Sequence, residues 1–533
     1  MAIVKFNRKE FEKYCKITKE IEEKISLFGT PMESINKDEI ELEIFPNRPD
    51  LYSLQGYLRN FLAFLGKKTG LKEYKVNKPD KNYEVKIDSS VKDVRPYTAC
   101  AIVKGLKFDN EKIKEIIDIQ EKLHSTLGRN RKKIAIGIYP LEAISLPIRF
   151  EARKPGDIKF IPLDSDREMT GLQILSQHPT GRDYAHLLQG KEKFPVFVDS
   201  KNEILSMPPI INSNKTGKID ENTTSVFIEC SGFDFPILKK TLNILVCMLA
   251  DIGGKIYQMK LSGINEITPD LTPEKMKINI ENINKLLGLE LKEGDVKKLL
   301  ERMGYNYKNK QAEIPAYRTD IMHEVDVAED IAIAYGYDKF VPEISTIGEI
   351  DRKEILKRKI SEVLVGLGLL ELSTYHLLTG EEGKTEIEVE NSKTDYKFLR
   401  KDLMPSILKV LSENSDNEYP QKIFELGVAF QKDESQETGI KESDKLAIAL
   451  TPGNFTELKQ ILEYLARMLN LGFSIEETEK QGFIEGRVGK IIFEKKEIGV
   501  IGEIHPSLLK SWHLKMPLVY LELDLSEIFE KLG

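Results

Sequence analysis

The stretch that most constrains this 533-residue chain runs from residue 316 to residue 337 and is strongly acidic. From residue 325 onward, its apolar residues recur at the spacing of a helix that buries one side. On such a helix Asp326, Glu329 and Asp330 lie on one face, and Asp320 comes just before them. Carboxylates at this spacing repel each other unless a positive charge faces them. The sequence therefore predicts a positively charged partner for this face.

The pattern leaves three explanations open. A magnesium ion would satisfy the carboxylates, because it prefers oxygen ligands and is usually held by one or two carboxylates together with water. Alternatively, Asp326 is the N-cap of the helix and Glu329 is its third residue, which is a variant of the capping box. In the third explanation, Arg318 or a partner chain supplies the positive charge.

Composition and charge exclude several classes of protein. The chain is 41% hydrophobic and 31% charged, as expected of a soluble globular protein, and its net charge of −7 argues against a uniformly basic nucleic-acid binder. The four cysteines form no C-x-x-C pair, which favours a reducing compartment and predicts no zinc site. We find no signal peptide and no apolar stretch long enough to span a membrane. A cytoplasmic protein without membrane contact is therefore expected.

Three polar stretches in the middle of the chain carry candidate binding groups. Residues 211–217, INSNKTG, place several hydrogen-bonding side chains in one turn. As a strand, residues 225–232 put Glu229 and Ser231 on one face, which is either exposed to solvent or part of a small-ligand pocket. The basic run 128–133, GRNRKK, is typical of a solvated loop, and contact with nucleic-acid phosphate is the alternative.

The order of predicted strands and helices indicates an α+β protein with several domains. Residues 1–88 are expected to form an α/β domain, in which residues 8–25 predict one amphipathic helix. Residues 89–266 are expected to form a mixed α/β domain. Residues 267–340 hold two short helices and a hairpin-like region that resemble a winged helix in outline. In residues 341–533, strands with helices set apart suggest an antiparallel sheet domain.

Five stretches of the chain match the motifs of a known family in the same order. They are residues 45–51 (FPNRPDL), 120–126 (QEKLHST), 206–213 (SMPPIINS), 317–321 (YRTDI) through 335–338 (YGYD), and 499–506 (GVIGEIHP). Each is weak alone, but together they are specific and extend over nearly the whole chain. On these motifs the chain resembles the beta subunits of phenylalanyl-tRNA synthetases, of the archaeal and eukaryotic-like type.

The resemblance implies a class II synthetase that acts as an (αβ)2 heterotetramer and uses ATP to attach phenylalanine to tRNA(Phe). Activation of the amino acid is then the task of the alpha subunit. The last domain would be class II synthetase-like without its own active site, because the chain has Arg400 but no Gly-x-Gly-x-x-Arg stretch near its C-terminal end. The resemblance also implies a Mg²⁺ site that is shared with the alpha subunit and held by Asp320, Asp326, Glu329 and Asp330.

The resemblance further implies that the middle domain is an editing domain, which hydrolyses tyrosyl-tRNA made in error. An apolar pocket rejects an added hydroxyl poorly, whereas a second site that binds the hydroxyl discriminates well. The candidate pocket residues are Asn212, Ser213, Glu229 and Ser231. The family more often has Asp-x-Thr where this chain has Glu229-Cys-Ser, and often an aspartate where this chain has Pro140. The alternatives are a non-catalytic tRNA-binding scaffold with a decayed editing site and, on the acidic cluster alone, a stand-alone metal hydrolase.

Overall fold

The structure, a computed structural model, describes residues 2–344, 348, 350–383 and 385–532. The chain divides into two compact units, Met1–Pro342 and Glu343–Gly533. Helices and strands are mixed in both units, which confirms a mixed α and β protein of several domains. No helix in the described ranges is long and apolar enough to cross a membrane. The bounds of the four domains stay a prediction.

The first part of the larger unit is a small sheet covered by helices. Its elements are β1 (Ala2–Asn7), α1 (Arg8–Glu12), α2 (Lys19–Leu27), β2 (Met32–Ile35), β3 (Glu39–Ile44), α3 (Leu54–Phe64), β4 (Val76–Asn77) and β5 (Glu84–Ile87). The sheet has the order β1–β3–β2, and β3 buries alternate side chains. The prediction of one helix at residues 8–25 is wrong. The side chain of Thr18 accepts a hydrogen bond from the backbone N–H of Ile21 and begins a second helix there.

A large sheet fills the middle of this unit. Its elements and those around it are β6 (Tyr97–Lys104), α4 (Asn110–Ser125), β7 (Ile134–Pro140), β8 (Ile148–Arg153), β9 (Lys159–Phe160), β10 (Met169–Thr170), α5 (Gly171–Gln177), α6 (Pro179–Tyr184), β11 (Phe194–Val198), β12 (Ile204–Met207), β13 (Ile211–Asn212), β14 (Ser225–Gly232), α7 (Phe235–Asp251), β15 (Lys255–Ser262) and β16 (Glu266–Thr268). The strand order is β13–β12–β11–β8–β5–β15–β6–β14–β7, with β4 and β16 also paired to β15. Helix α7 packs on β6 and β14, and α4 packs on β7. Strand β14 therefore lies one strand in from the edge formed by β7.

The last part of the larger unit is a three-stranded sheet with three helices. Its elements are β17 (Glu274–Lys277), α8 (Ile280–Leu287), α9 (Glu293–Arg302), β18 (Asn306–Lys308), β19 (Gln311–Ile314) and α10 (Glu324–Tyr335). The antiparallel sheet has the order β17–β19–β18, and α10 packs against α8 and α9. The predicted acidic helix is α10, which ends at Gly336 with a φ of 107°.

The smaller unit is built on a seven-stranded sheet. Its elements are α11 (Arg352–Gly366), β20 (Leu370–Leu372), β21 (Leu377–Leu378), β22 (Phe398–Leu399), α12 (Met404–Glu413), β23 (Gln421–Lys432), β24 (Ile440–Thr451), α13 (Phe455–Met468), β25 (Ser474–Glu477), β26 (Phe483–Phe493), β27 (Lys496–Ile504), α14 (Pro506–Ser511), β28 (Val519–Asp524) and α15 (Ser526–Leu532). The order is β20–β23–β24–β28–β27–β26–β25, and only the β20–β23 pair is parallel among these strands. Helices α11, α13 and α15 share one apolar core, and α12 and α14 share another.

Candidate functional site

The acidic cluster lies at the start of α10, where His323 is the N-cap. The His323 ring accepts a hydrogen bond from the backbone N–H of Val325 at 3.3 Å. The Asp326 carboxylate accepts two, from the backbone N–H groups of Met322 and His323 at 2.8 and 2.7 Å. Asp326 is thus the third helical residue and closes a capping box. The variant with Asp326 as the N-cap is wrong, although its carboxylate does cap the helix.

Arg318 supplies a positive charge to two of the other carboxylates. Its guanidinium donates two hydrogen bonds to Asp320, at 2.8 and 2.7 Å, and its Nη1 lies 2.8 Å from Asp330 Oδ2. The Tyr305 hydroxyl also donates to Asp330, at 2.5 Å. Burial tends to raise the pKa of Asp320, but the Arg318 charge outweighs burial and lowers that pKa. The structure therefore contains the arginine partner that the sequence left as one of three explanations.

All four predicted metal ligands line one cleft of about 910 Å³, together with residues 45–48. Among the four, the side chain of Glu329 is exposed to solvent. Partial burial of its carboxyl raises its pKa, and the negative charges of Asp330 and Asp320 raise it further. Arg318 and the helix start already engage the other three carboxylates. Consequently, within the described residues no group of three or more acidic, histidine or cysteine side chains is arranged to hold a metal ion. The assignment of Asp320, Asp326, Glu329 and Asp330 as magnesium ligands stays a prediction.

Glu229 lies in the middle of β14, opposite Gly137 of β7, and is 2% exposed. Burial raises the pKa of its carboxyl to about 8, although the nearby charge of Arg95 opposes the shift. The Tyr139 hydroxyl lies 3.3 Å from both Glu229 Oε1 and Asn212 Oδ1. In the described part of the chain, Glu229 Oε2 is buried without a hydrogen-bond partner. Such an atom is uncommon in a folded protein and calls for an explanation, such as an ordered water, an ion or a ligand.

Glu229 and Asn212 line a cleft of about 430 Å³ between α4 and the strands β12 and β13. Its lining combines eight isoleucines and two prolines with ten polar or charged side chains. Gly137 leaves room for the Tyr139 hydroxyl beside the carboxyl, because a β-carbon at this position would lie 2.1 Å from that hydroxyl and 2.7 Å from Glu229 Oε1. The cleft has the size of a small-ligand site.

Of the four predicted pocket residues, the structure brings Asn212 and Glu229 together at the cleft wall. Ser213 is 1% exposed and its backbone pairs within the sheet. The Ser231 hydroxyl accepts a hydrogen bond from Arg95 at 3.1 Å instead of lining the cleft. The alternative that this face of the strand is exposed to solvent is wrong, because Glu229 and Ser231 are 2% and 0% exposed.

The sequence patterns did not single out Gly137, Tyr139 and His124, which lie around Glu229 and its cleft. The Nε2 atom of His124 accepts a hydrogen bond from a backbone N–H at 2.8 Å, and its Nδ1 lies 3.3 Å from Glu121. Burial lowers the pKa of His124, although Glu121 opposes the shift. Because both ring nitrogens have partners, His124 is not a free base. The signals were a histidine inside a matched motif and a glycine inside an apolar strand.

In the smaller unit, Arg400 is turned into the fold and is 0% exposed. It donates hydrogen bonds to the carbonyl of Val428 at 2.9 Å, to the Thr374 hydroxyl at 2.7 Å and to Glu425 at 2.9 Å. These partners all belong to the same unit. The guanidinium therefore stabilises the fold and is not free to bind a nucleotide.

Three family models match successive parts of the chain. The B3/4 domain matches residues 95–244, the tRNA synthetase B5 domain matches residues 276–337, and the phenylalanyl tRNA synthetase beta chain CLM domain matches residues 338–525. The phenylalanine–tRNA ligase beta subunit of Thermococcus kodakarensis is 41% identical over 518 residues, which cover 91% of this chain and 90% of that protein. The chain belongs to the family of phenylalanine–tRNA ligase beta subunits.

Membership in the phenylalanine–tRNA ligase beta-subunit family confirms the resemblance found in the sequence. The beta subunit of Archaeoglobus fulgidus is 37% identical over 532 residues, covering 95% of each chain. The crystal structure of an N-terminal fragment of the phenylalanyl-tRNA synthetase beta subunit from Pyrococcus horikoshii matches with a TM-score of 0.60 and 37% identity, over 63% of this chain and 99% of the fragment. The Glu229 cleft falls within the B3/4 match, and Arg318 falls within the B5 match.

Proposed function

We propose that this chain is the beta subunit of a two-subunit phenylalanine–tRNA ligase, an aminoacyl-tRNA synthetase. Together with an alpha subunit, in an (αβ)2 heterotetramer, it attaches phenylalanine to tRNA(Phe) using ATP. The support is an identity of 37% to 41% with archaeal beta subunits over 90% or more of their length. The complex is assigned to the cytoplasm, in keeping with four cysteines that are buried and free.

Activation of phenylalanine is assigned to the alpha subunit. The support is Arg400, whose guanidinium is taken up by partners inside its own unit. The test is ATP–pyrophosphate exchange by the purified chain in the presence of phenylalanine. We expect none without the alpha subunit, and exchange by the purified chain alone would contradict this assignment.

The cleft beside Glu229 is assigned to the editing of tyrosyl-tRNA. The observation that carries the assignment is the unpartnered Oε2 of a buried carboxyl in the wall of this cleft. A tyrosyl phenol entering the cleft would form a hydrogen bond with this oxygen, whereas a phenylalanyl side chain would leave it unpaired. An unpaired buried polar group costs about 1–3 kcal/mol, which corresponds to a preference for tyrosine of about 5- to 150-fold.

Hydrolysis in this cleft depends mainly on positioning, because neither ring nitrogen of His124 is free to take a proton. A water oxygen adds to the ester carbonyl carbon, and the bond from that carbon to the ribose oxygen breaks. The ribose oxygen takes up a proton, and tyrosine leaves as the free acid. With a pKa of about 8, Glu229 is mostly protonated at neutral pH and then carries no net charge.

The test compares complexes that carry Glu229→Ala, Asn212→Ala or the exposed control Glu266→Gln. We expect tyrosyl-tRNA hydrolysis to fall about tenfold in Glu229→Ala and less in Asn212→Ala, with phenylalanine charging near the parent rate. Hydrolysis at the parent rate in Glu229→Ala would place the pocket elsewhere. A parent complex that does not hydrolyse tyrosyl-tRNA would favour the alternative function of a tRNA-binding scaffold. The differences from the family pattern at Glu229-Cys-Ser and at Pro140 are the reason for this alternative.

Magnesium binding at the acidic cleft is assigned to the complex rather than to this chain alone. The support is that Asp320, Asp326, Glu329 and Asp330 line one cleft, where added ligands from the alpha subunit would complete a site. Assembly of the parent complex should then depend on Mg²⁺, and Asp326→Ala should weaken that dependence. Identical magnesium titrations of assembly for parent and variant would contradict the assignment.

The finer domain description belongs to the same proposal. It comprises an N-terminal α/β domain at 1–88, an editing-like domain at 89–266, a winged-helix-like domain at 267–340, and a class II synthetase-like domain without its own active site at 341–533. Support comes from the helices α8 and α9 beside a three-stranded sheet and from the mostly antiparallel sheet of the smaller unit.

A further inference from the structure

The basic loop 128–133 joins α4 to β7 beside the Glu229 cleft and is held in an unusual backbone conformation. Arg129, Asn130 and Arg131 have φ values of 48°, 52° and 64°. Residues other than glycine rarely enter this left-handed region, and then mostly singly. Gly128 packs so closely that a β-carbon there would lie 2.7 and 2.8 Å from two backbone oxygens. Backbone N–H groups of the loop donate to carbonyls in and just after the last turn of α4, so the loop is closed onto that helix.

Arg131 fastens this loop to its surroundings with its side chain. The guanidinium donates to the carbonyl of Ile210 at 2.9 Å and to Glu121 at 2.8 Å, and it lies 4.4 Å from the centre of the Tyr184 ring. Arg131 also lines the Glu229 cleft. The loop therefore has a fixed position at the side of the cleft.

Three cations of the loop are left on the surface. Arg129, Lys132 and Lys133 are exposed, and none of them has an ion pair in the part of the chain that the structure describes. Each is within two residues of Arg131, and consecutive Cα atoms are about 3.8 Å apart, so all three lie near the cleft. Lys218, which lines the cleft, is exposed as well. Because the backbone is already ordered, binding an anion here loses little conformational freedom.

We propose that Arg129, Lys132 and Lys133 bind backbone phosphates at the acceptor end of tRNA while its aminoacyl ester lies in the Glu229 cleft. The inference rests on the proposed editing function, since an ester in the cleft brings the adjoining phosphates to the cleft mouth. Cations without partners contact phosphate independently of base identity, which suits an end shared by many tRNAs. The loop thus increases affinity for the RNA and leaves recognition of the amino acid to the cleft.

The first test measures tRNA binding by the complete α/β complex against salt concentration. In the triple variant Arg129→Ala, Lys132→Ala, Lys133→Ala, the slope of log affinity on log salt should become shallower by about 0.7 for each lost single-strand phosphate contact, or about 2 in total. The control triple Lys16→Ala, Lys37→Ala, Lys277→Ala removes the same charge from other exposed sites and should keep the parent slope. An unchanged slope in the loop variant would overturn the proposal.

The second test separates the loop from the cleft. The loop variant should raise KM for tyrosyl-tRNA about tenfold with kcat near the parent value, and it should hydrolyse tyrosine ethyl ester, which carries no RNA, at the parent rate. Equal losses on both esters would mean that the loop only shapes the cleft, which would overturn phosphate binding. If the parent complex hydrolyses neither ester, the editing function fails, and the salt slope still decides whether the loop binds RNA.

Discussion

The two buried acidic sites of the larger unit differ in how their charge is matched. At the start of α10, the buried guanidinium of Arg318 pairs with Asp320 and Asp330. In the large sheet, Arg95 is near Glu229 but donates its hydrogen bonds to Ser231. A paired carboxylate has a lowered pKa and stabilises the fold, as at Asp320, whereas an incompletely paired one takes up a proton, as at Glu229. Burial alone therefore does not distinguish a structural acid from a binding group.

The largest expected effect tests the protonated state of Glu229. The pKa of Glu229 is about 8 in the folded protein and takes the ordinary value of 4.5 on unfolding. Between pH 4.5 and pH 8, the folded state therefore holds this proton more tightly than the unfolded state does. Stability should then decrease as pH rises through this window, by about 5 kcal/mol in total, and stay constant with respect to this group above it. The free energy of unfolding is measured by denaturant titration across the window for the parent and for Glu229→Gln, which cannot titrate. Parallel pH profiles for the parent and Glu229→Gln would show that folding does not raise the pKa of Glu229.

The next effect tests the paired site. Arg318→Met keeps the volume of the side chain but leaves Asp320 and Asp330 buried without their counter-charge, which should cost about 3–5 kcal/mol of unfolding free energy. The exposed Arg182→Met is the control and should change stability by less than about 0.5 kcal/mol. A loss for Arg318→Met as small as that of the control would remove the distinction between the two sites.

A smaller effect is expected from crowding the contact between Tyr139 and Glu229. The added methyl of Gly137→Ala meets Tyr139 and Glu229, so it should destabilise the unit by about 1–3 kcal/mol and reduce tyrosyl-tRNA hydrolysis. Gly156→Ala, whose β-carbon meets nothing within 4 Å, is the control and should change neither quantity. Full hydrolysis in Gly137→Ala would show that the contact between Tyr139 and Glu229 is not needed for editing.

The smallest effect concerns the helix cap. Asp326→Ala removes the acceptor for two backbone N–H groups and should cost about 1 kcal/mol in the chain alone, with or without magnesium. The exposed Asp183→Ala serves as the control. If added magnesium stabilised the parent chain alone but not Asp326→Ala, the acidic site would bind metal without the alpha subunit.

Local patterns predicted the elements that carry both sites, because side-chain direction follows the period of a helix or strand. The acidic helix and the strand with Glu229 and Ser231 on one face both appear where they were expected. The prediction of one helix at residues 8–25 was wrong because the side chain of Thr18 caps a new helix within an otherwise helical pattern. The exposure of Glu229 was left open because one strand does not reveal what covers it. The metal ligands and the four-residue pocket stay predictions.

The sequence by itself determined the family and the order of the motifs. It also determined which acids share a helix face or a strand face. The tertiary structure decided which acid meets an arginine. Arg318 is near Asp320 in sequence, but Glu229 acquires its surroundings only when β14 pairs with β6 and β7. The charge state of a buried carboxyl depends on distances to groups far along the chain, and no local period contains those distances.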